Sequence, residues 1–196
     1  MKKIITVDGP AGSGKEKISK YIARKYKLYH LDSGILYRRL AYEIIKKNIK
    51  VSEINNIKNI LKNIKTLSLR KTKVLRMEKI GKAASEIAKL DFVRHFINAQ
   101  QKLATTRPNK KKGFVIDGRD IGSVVFKEAF LKLYVDVDVN IRAKRRYKQL
   151  IDNGEKSIYL KILKDIKLRD KKDKTRKNSP LVVPRGAKII NNSYTF

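Results

Sequence analysis

Apolar residues form two kinds of run in this chain. Ile4–Val7, Phe114-Val115-Ile116 and Leu131–Val135 are short, continuous and rich in β-branched or aromatic residues, and each runs into carboxylates or glycine. They read as buried strands. Tyr29-His30-Leu31 is a shorter strand, and Ile189-Ile190 gives a last one. Between them the apolar positions take helical spacing. Ile18, Tyr21, Ile22 and Tyr26 define a first helix. Asp32-Ser33 supplies an N-cap for a second, over Ile35–Lys47. Ile54, Ile57, Ile60, Leu61 and Ile64 mark a third within Val51–Ile64, and two more follow over Ile80–Leu90 and Asp91–Thr105. Leu67–Leu69 and Val74-Leu75, split by the basic Arg70–Lys73, predict a short hairpin. Thr106–Lys112 reads as a loop, and Ile141–Lys177 as a long basic helical region broken near Asn153-Gly154.

Strands alternating with helices predict an α/β fold, its parallel sheet covered on both faces. Ligands in such sheets lie beyond the C-terminal ends of the strands. That places Gly9–Lys15, Asp32-Ser33 and Asp117–Asp120 along one edge. At 196 residues, with no internal repeat or low-complexity linker, the chain reads as one domain with an insertion. The absence of cysteine excludes a disulfide framework and a thiolate metal site. The two N-terminal lysines precede too short an apolar run for a signal peptide, and no run approaches the length of a membrane span. A cytoplasmic location is the expectation. A net charge of +31 attracts anions, but the lysines are spread over every segment and accompany the Ile and Asn of AT-rich coding sequence. The charge is therefore read as compositional.

The densest chemistry follows the first strand. Gly9, Pro10, Ala11, Gly12, Ser13, Gly14 and Lys15 form G-x-x-x-x-G-K between a strand and a helix. Glycines let backbone N–H groups approach an anion, the helix N-terminus adds partial positive charge, and Lys15 reaches terminal phosphates. The motif continues with Ser or Thr, whose hydroxyl helps hold Mg²⁺. Here Glu16 and Lys17 stand there, so the phosphate cradle reads strongly and the metal half weakly. Arg169, Asp173 and Arg176 lie at i, i+4 and i+7 and share a helix face; by spacing alone the first two are an ordinary ion pair. By position, Asp117 and Asp120 are turn or N-cap residues as readily as functional ones. Arg142, Arg145 and Arg146 read equally as a solvated basic face or as cations reaching phosphates. His30 and His95 have no partner pattern that supports catalysis or metal binding.

Several of these stretches together resemble the bacterial cytidylate kinases. Val7–Lys15 matches I-D-G-P-x-G-x-G-K, and Leu31–Arg38 matches L-D-[ST]-G-x-x-Y-R. Ala83-Ala84-Ser85, Val93-Arg94 and Gln101-Lys102 resemble A-S…V-R…Q-R. Asp117–Phe126 resembles D-G-R-D-x-G-x-x-V-F, and Arg169–Leu181 resembles R-D-x-x-D-x-x-R-x-x-[SA]-P-L. The motifs run in family order from residue 3 to residue 181.

The resemblance implies a P-loop kinase domain, three-layer α/β/α with a five-stranded parallel sheet. It implies a short CMP-binding insertion over about 34–105 and a helical lid over about 141–180. The implied reaction passes the γ-phosphoryl group of ATP, with Mg²⁺, to CMP or dCMP in pyrimidine metabolism. Gly9–Lys17 would bind ATP; Lys15, Arg119 and Arg176 would be catalytic. Ser33, Arg38, Ser85, Arg94, Arg119, Asp120, Arg169, Asp173 and Arg176 would bind CMP. Within that set Asp120, Arg94 and Ser85 fall to the base, Arg38, Arg119 and Arg176 to the phosphate, and Arg169 and Asp173 to the ribose. Asp117 would hold Mg²⁺ through water. Small nucleotides are the expected partners of a monomer, with neither membrane nor specific nucleic acid.

The chain departs from the pattern at Glu16-Lys17, in a region between Arg38 and Ser85 short enough for a hairpin rather than a three-stranded sheet, and at Asn192, where the family has Asp and a further helix after Ser193. These departures leave a second reading: a weakened paralogue that binds nucleotide or RNA without efficient turnover.

Overall fold

A computed structural model describes residues 3–106, 111–152 and 154–194. Five strands, β1 (Lys3–Asp8), β2 (Tyr29–Asp32), β3 (Gly113–Gly118), β4 (Leu131–Asp136) and β5 (Lys188–Asn191), form one parallel sheet in the order β2-β3-β1-β4-β5. The helices are α1 (Lys15–Lys25), α2 (Gly34–Lys46), α3 (Ile54–Asn63), α4 (Glu78–Ile87), α5 (Asp91–Thr106), α6 (Val139–Asp152) and α7 (Tyr159–Thr175). The arrangement is three-layer α/β/α.

The five expected sheet strands and the expected helices are present, with ends displaced by a few residues. Of the expected 106–112 loop, residues 107–110 lie outside the described residues, as does Asn153 at the expected helix break. Either side of Asn153, α6 ends at Asp152 and α7 begins at Tyr159.

The chain divides into two compact units, residues 1–30 with 111–196, and residues 31–110. In the first, β1 is the central strand, with Ile5 in register with Val115 of β3 and Leu131 of β4. Ile5, Val7, Val115, Leu133 and Val135 bury one face together with Ala23 of α1, Leu28 and Val137. Strand periodicity thus turns these side chains to one side. Because the strands are parallel, the residues following β1 and β3 leave the sheet on the same edge.

The second unit has its own core, with Leu36, Leu40, Ile44, Ile57, Leu75, Ile87 and Ile97 almost wholly buried. The expected hairpin is absent. Lys73–Arg76 forms a 3-10 turn, and no strand occurs among the described residues of 65–77. A side chain replaces a strand partner there: Gln100 Oε1 accepts the Leu67 N–H at 2.9 Å, and its Nε2 donates to Lys65 O at 3.1 Å. Segments of three and two residues are too short to pair when a buried glutamine already satisfies the backbone.

Candidate active site

The phosphate loop begins where β1 ends. A side chain at Gly9 would collide with the carbonyl of Val135, and Gly14 occupies the left-handed region at φ 82°, at the N-cap of α1. Both positions therefore require glycine. The Ser13 hydroxyl is buried inside the loop and has no hydrogen-bond partner among the described residues. Lys15 Nζ donates to Pro10 O at 2.9 Å. Burial and the Arg119 charge nearby lower the Lys15 pKa to about 7, with Arg169 adding to the effect and Asp117 and Asp173 opposing it. Lys15 thus lies within electrostatic reach of Arg119 and Arg169 as well as of Asp117 and Asp173.

Glu16, the misfit of the motif, turns to Lys20 one helical turn on, at 2.7 Å. Both side chains are more than two-fifths exposed, so the pair is screened by water and weakly stabilising. Its geometry leaves the backbone of the loop intact.

At the end of β3 Asp117 is buried, and just beyond it Asp120 is buried and Arg119 half-buried. Arg119 is ion-paired to Asp173 of α7 through its Nε. Arg176 lies 3.5 Å from Asp173 and 4.0 Å from Asp120. Burial pushes the Asp173 carboxyl up, but Arg119, Arg169 and Arg176 outweigh it and hold it below the usual carboxylate range. The Arg169/Asp173 spacing is thus part of a buried charge network.

The other expected residues lie in the unit of residues 31–110. Ser33 is buried at the N-cap of α2, but its side chain makes no capping bond, contrary to the expected cap. Backbone bonding such as Leu36 N to Ser33 O at 3.2 Å starts that helix. Arg38 donates to Leu75 O at 2.7 Å, and its guanidinium lies over the space that a Gly81 side chain would fill. Ser85 is half-buried on α4. Arg94 is 2% exposed, donates to Ala88 O at 3.1 Å and sits 5.7 Å from the Tyr37 ring centre.

Among the described residues no group of three or more His, Cys, Asp and Glu could hold a metal unaided. Asp117 lies close enough to Lys15 to affect its pKa. Mg²⁺ keeps several waters and takes one or two carboxylates plus substrate phosphates. The residues present therefore fit Mg²⁺ that arrives with a polyphosphate.

Sequence reasoning missed the surroundings of Asp8, His30, Arg142 and Asn192. The Asp8 carboxyl is fully buried and accepts the N–H groups of Ile121 at 2.8 Å and Gly122 at 2.7 Å, fixing the backbone beside Asp120. Burial pushes Asp8 up to about 6 against those two bonds. A carboxylate closing an apolar strand was the available signal. His30 Nε2 lies 2.7 Å from Asp117 Oδ1; 87 residues separate them, so no local pattern reveals the pair. Arg142, one of three cations read equally as a solvated face or as reaching phosphates, is buried. Asn192 Nδ2 donates to Ser13 O at 2.8 Å, tying the final strand's exit to the loop.

Residues 5–195 match the family model "Cytidylate kinase". The chain is similar to the cytidylate kinase of Bartonella bacilliformis, 38% identical over 194 residues, covering 97% of this chain and 86% of that protein. It is 41% identical over 190 residues to the cytidylate kinase of Rickettsia akari, at 96% and 84% coverage. With that of Caldicellulosiruptor saccharolyticus it shares 36% over 208 residues, at 98% and 90% coverage. A full-length match, together with a phosphate loop, a cationic cluster and an acidic loop after β3, places this chain in the cytidylate kinase family.

Proposed function

We propose that this protein transfers the γ-phosphoryl group of ATP to CMP or dCMP, giving CDP or dCDP and ADP, in pyrimidine nucleotide metabolism. The carrying observation is a buried Lys15 at the end of the glycine loop, its pKa lowered to about 7 first by burial and then by the charges of Arg119 and Arg169 within electrostatic reach. Like charges packed this way gain stability when polyanionic phosphate enters.

A phosphate oxygen of CMP attacks the γ-phosphorus, and the bond to the bridging oxygen of ADP breaks. No side chain need act as nucleophile or strong base, since such transfers rest on positioning and charge neutralisation. Gly9–Lys17 cradles ATP. Arg119 and Arg176 neutralise the transferring group and the CMP phosphate, with Arg38 and Ser33 assigned to that phosphate. Asp120 accepts from the cytosine amine, as carboxylates do on C N4, while Arg94 and Ser85 take the rest of the base edge. Arg169 and Asp173 take the ribose. When bound, Mg²⁺ neutralises polyphosphate charge, and Asp117 would hold it through water. The same reading makes the protein a cytoplasmic monomer; no helix among the described residues is long and apolar enough to cross a membrane.

A coupled assay for ADP formation with CMP, dCMP, UMP and AMP tests the reading. Turnover should favour CMP or dCMP. Preference for AMP or UMP refutes the roles of Asp120 and Arg94, and no turnover refutes the enzyme. The weakened nucleotide- or RNA-binding paralogue is the poorer account, because Glu16 is already turned to Lys20 and the family match spans the chain.

A further inference from the structure

The mechanism above leaves Arg142 unused, yet it is among the few buried charges in the molecule. It stands in the first turns of α6, where the surrounding sequence is lysine and arginine on an exposed face. Its guanidinium is spent on three different segments. Nε donates to Val137 O at 3.0 Å, just after β4. Nη1 donates to Ala11 O at 3.1 Å, inside the phosphate loop. Nη2 donates to the Asp170 carboxylate on α7 at 2.6 Å. The aliphatic part of the side chain also lies against the loop, 3.5 Å from where a side chain on Gly12 would begin. Asp170 sits between Arg169 and Asp173 in sequence, and it too is buried.

We propose that Arg142 is a positioning residue that fixes the phosphate loop and the substrate-facing side of α7 in one arrangement, so that ATP binding and CMP binding depend on the same side chain. The physical basis is the guanidinium fork. Its planar set of donors reaches acceptors in three directions, whereas an ammonium on a flexible stem cannot hold all three at once. With the carboxylate partner in place, the pair is a buried ion pair whose removal on either side leaves the other unmatched. A loop carbonyl and an α7 carboxylate joined to one rigid group lose their common reference when that group goes.

The proposal rests on the reading of ATP and CMP as substrates, and its test separates the two. Arg142→Met, Arg142→Lys, Asp170→Asn and the Arg142→Met/Asp170→Asn double variant are compared with the wild type. Affinity for ADP is measured by calorimetry, KM for ATP and CMP by the coupled assay, and folding by thermal unfolding. Asp170→Asn is the decisive variant, because Asp170 contacts the loop's neighbour Arg142 rather than the loop. It should weaken ADP binding at least about fivefold and raise KM for both substrates. In the Arg142→Met background the same change should add less than about twofold, since contacting residues couple. Arg142→Lys should fail to restore either KM. ADP affinity unchanged in Asp170→Asn, fully additive effects, or Tm lowered with both KM values intact would overturn the proposal. If Arg142→Met does not fold, Asp170→Asn and Arg142→Lys still decide. A wild type that binds ADP but does not phosphorylate CMP refutes the substrate reading, while the calorimetry still decides the role of Arg142.

Discussion

Asp8→Asn keeps the shape of a buried side chain and removes its charge. Asp8 titrates near 6 rather than 3.8, so at neutral pH its ionised form carries a penalty of about 3 kcal/mol. Because the folded-state pKa is raised, the stability that Asp8 contributes is fully present below its unfolded value. It is lost as pH rises through about 6. The asparagine variant does not titrate at this position and shows no such loss. It has a cost of its own: one carbonyl oxygen serves one of the two backbone N–H groups of Ile121 and Gly122, and the amide NH₂ opposes the other. One buried donor left unmatched costs about 1–3 kcal/mol. The stability gap between wild type and Asp8→Asn should therefore narrow by about 2.5 kcal/mol between pH 4 and pH 7, most of the full shift. For a chain of this size that is about 5–10 °C in the difference of Tm values. Thermal unfolding of both proteins by circular dichroism, in matched buffers across that range, measures it directly. Groups common to both proteins cancel in the difference. A gap constant with pH would show that Asp8 does not titrate as a buried group, and the reasoning fails.

Lys15, with its pKa lowered to about 7, is uncharged in much of the free protein above that pH, while phosphate favours the ammonium. ATP affinity should therefore fall by up to about tenfold per pH unit above 7, with proton uptake on binding visible by calorimetry in buffers of different ionisation enthalpy. Affinity constant from pH 7 to 9 would contradict this. Because folding depresses this pKa, the penalty on the charged lysine is full below 7, and the stability owed to the group rises between 7 and 10.5. Replacing Glu16 and Lys17 by Gly and Thr should raise ATP affinity and rate, since a carboxylate leaves the neighbourhood of the polyphosphate and a hydroxyl arrives; no gain in calorimetry means that Glu16 is no defect. Arg119→Ala should lower kcat/KM by at least about a hundredfold, as loss of a preorganised charge does. It should also lower Tm by several degrees, because Asp173 loses its ion-pair partner; a large fall in Tm with kinetics intact makes the residue structural.

Order along the chain was enough to read the sheet-forming strands, the helices and the phosphate loop. Their signals are local: continuous apolar runs such as Phe114–Ile116, helical spacing from Ile54 to Ile64, and glycines at fixed offsets from Lys15. The motifs carrying Arg38, Arg94, Asp120 and Asp173 were legible for the same reason, since each is a short pattern of residues close in sequence. Where local preference competed with longer-range partners, the reading failed. Leu67–Leu75 has strand-like residues, but Gln100 supplies the backbone bonds that a second strand would have made. Partnerships across long stretches were invisible in sequence. Asp8 meets Ile121 and Gly122, His30 meets Asp117, and Arg142 meets both Ala11 and Asp170. Arg142 differs from its many basic neighbours only in being buried. Sequence fixes which residues can ionise or donate. Folding decides which of them leave water, and the cost of an unmatched charge away from water ties each to its partner.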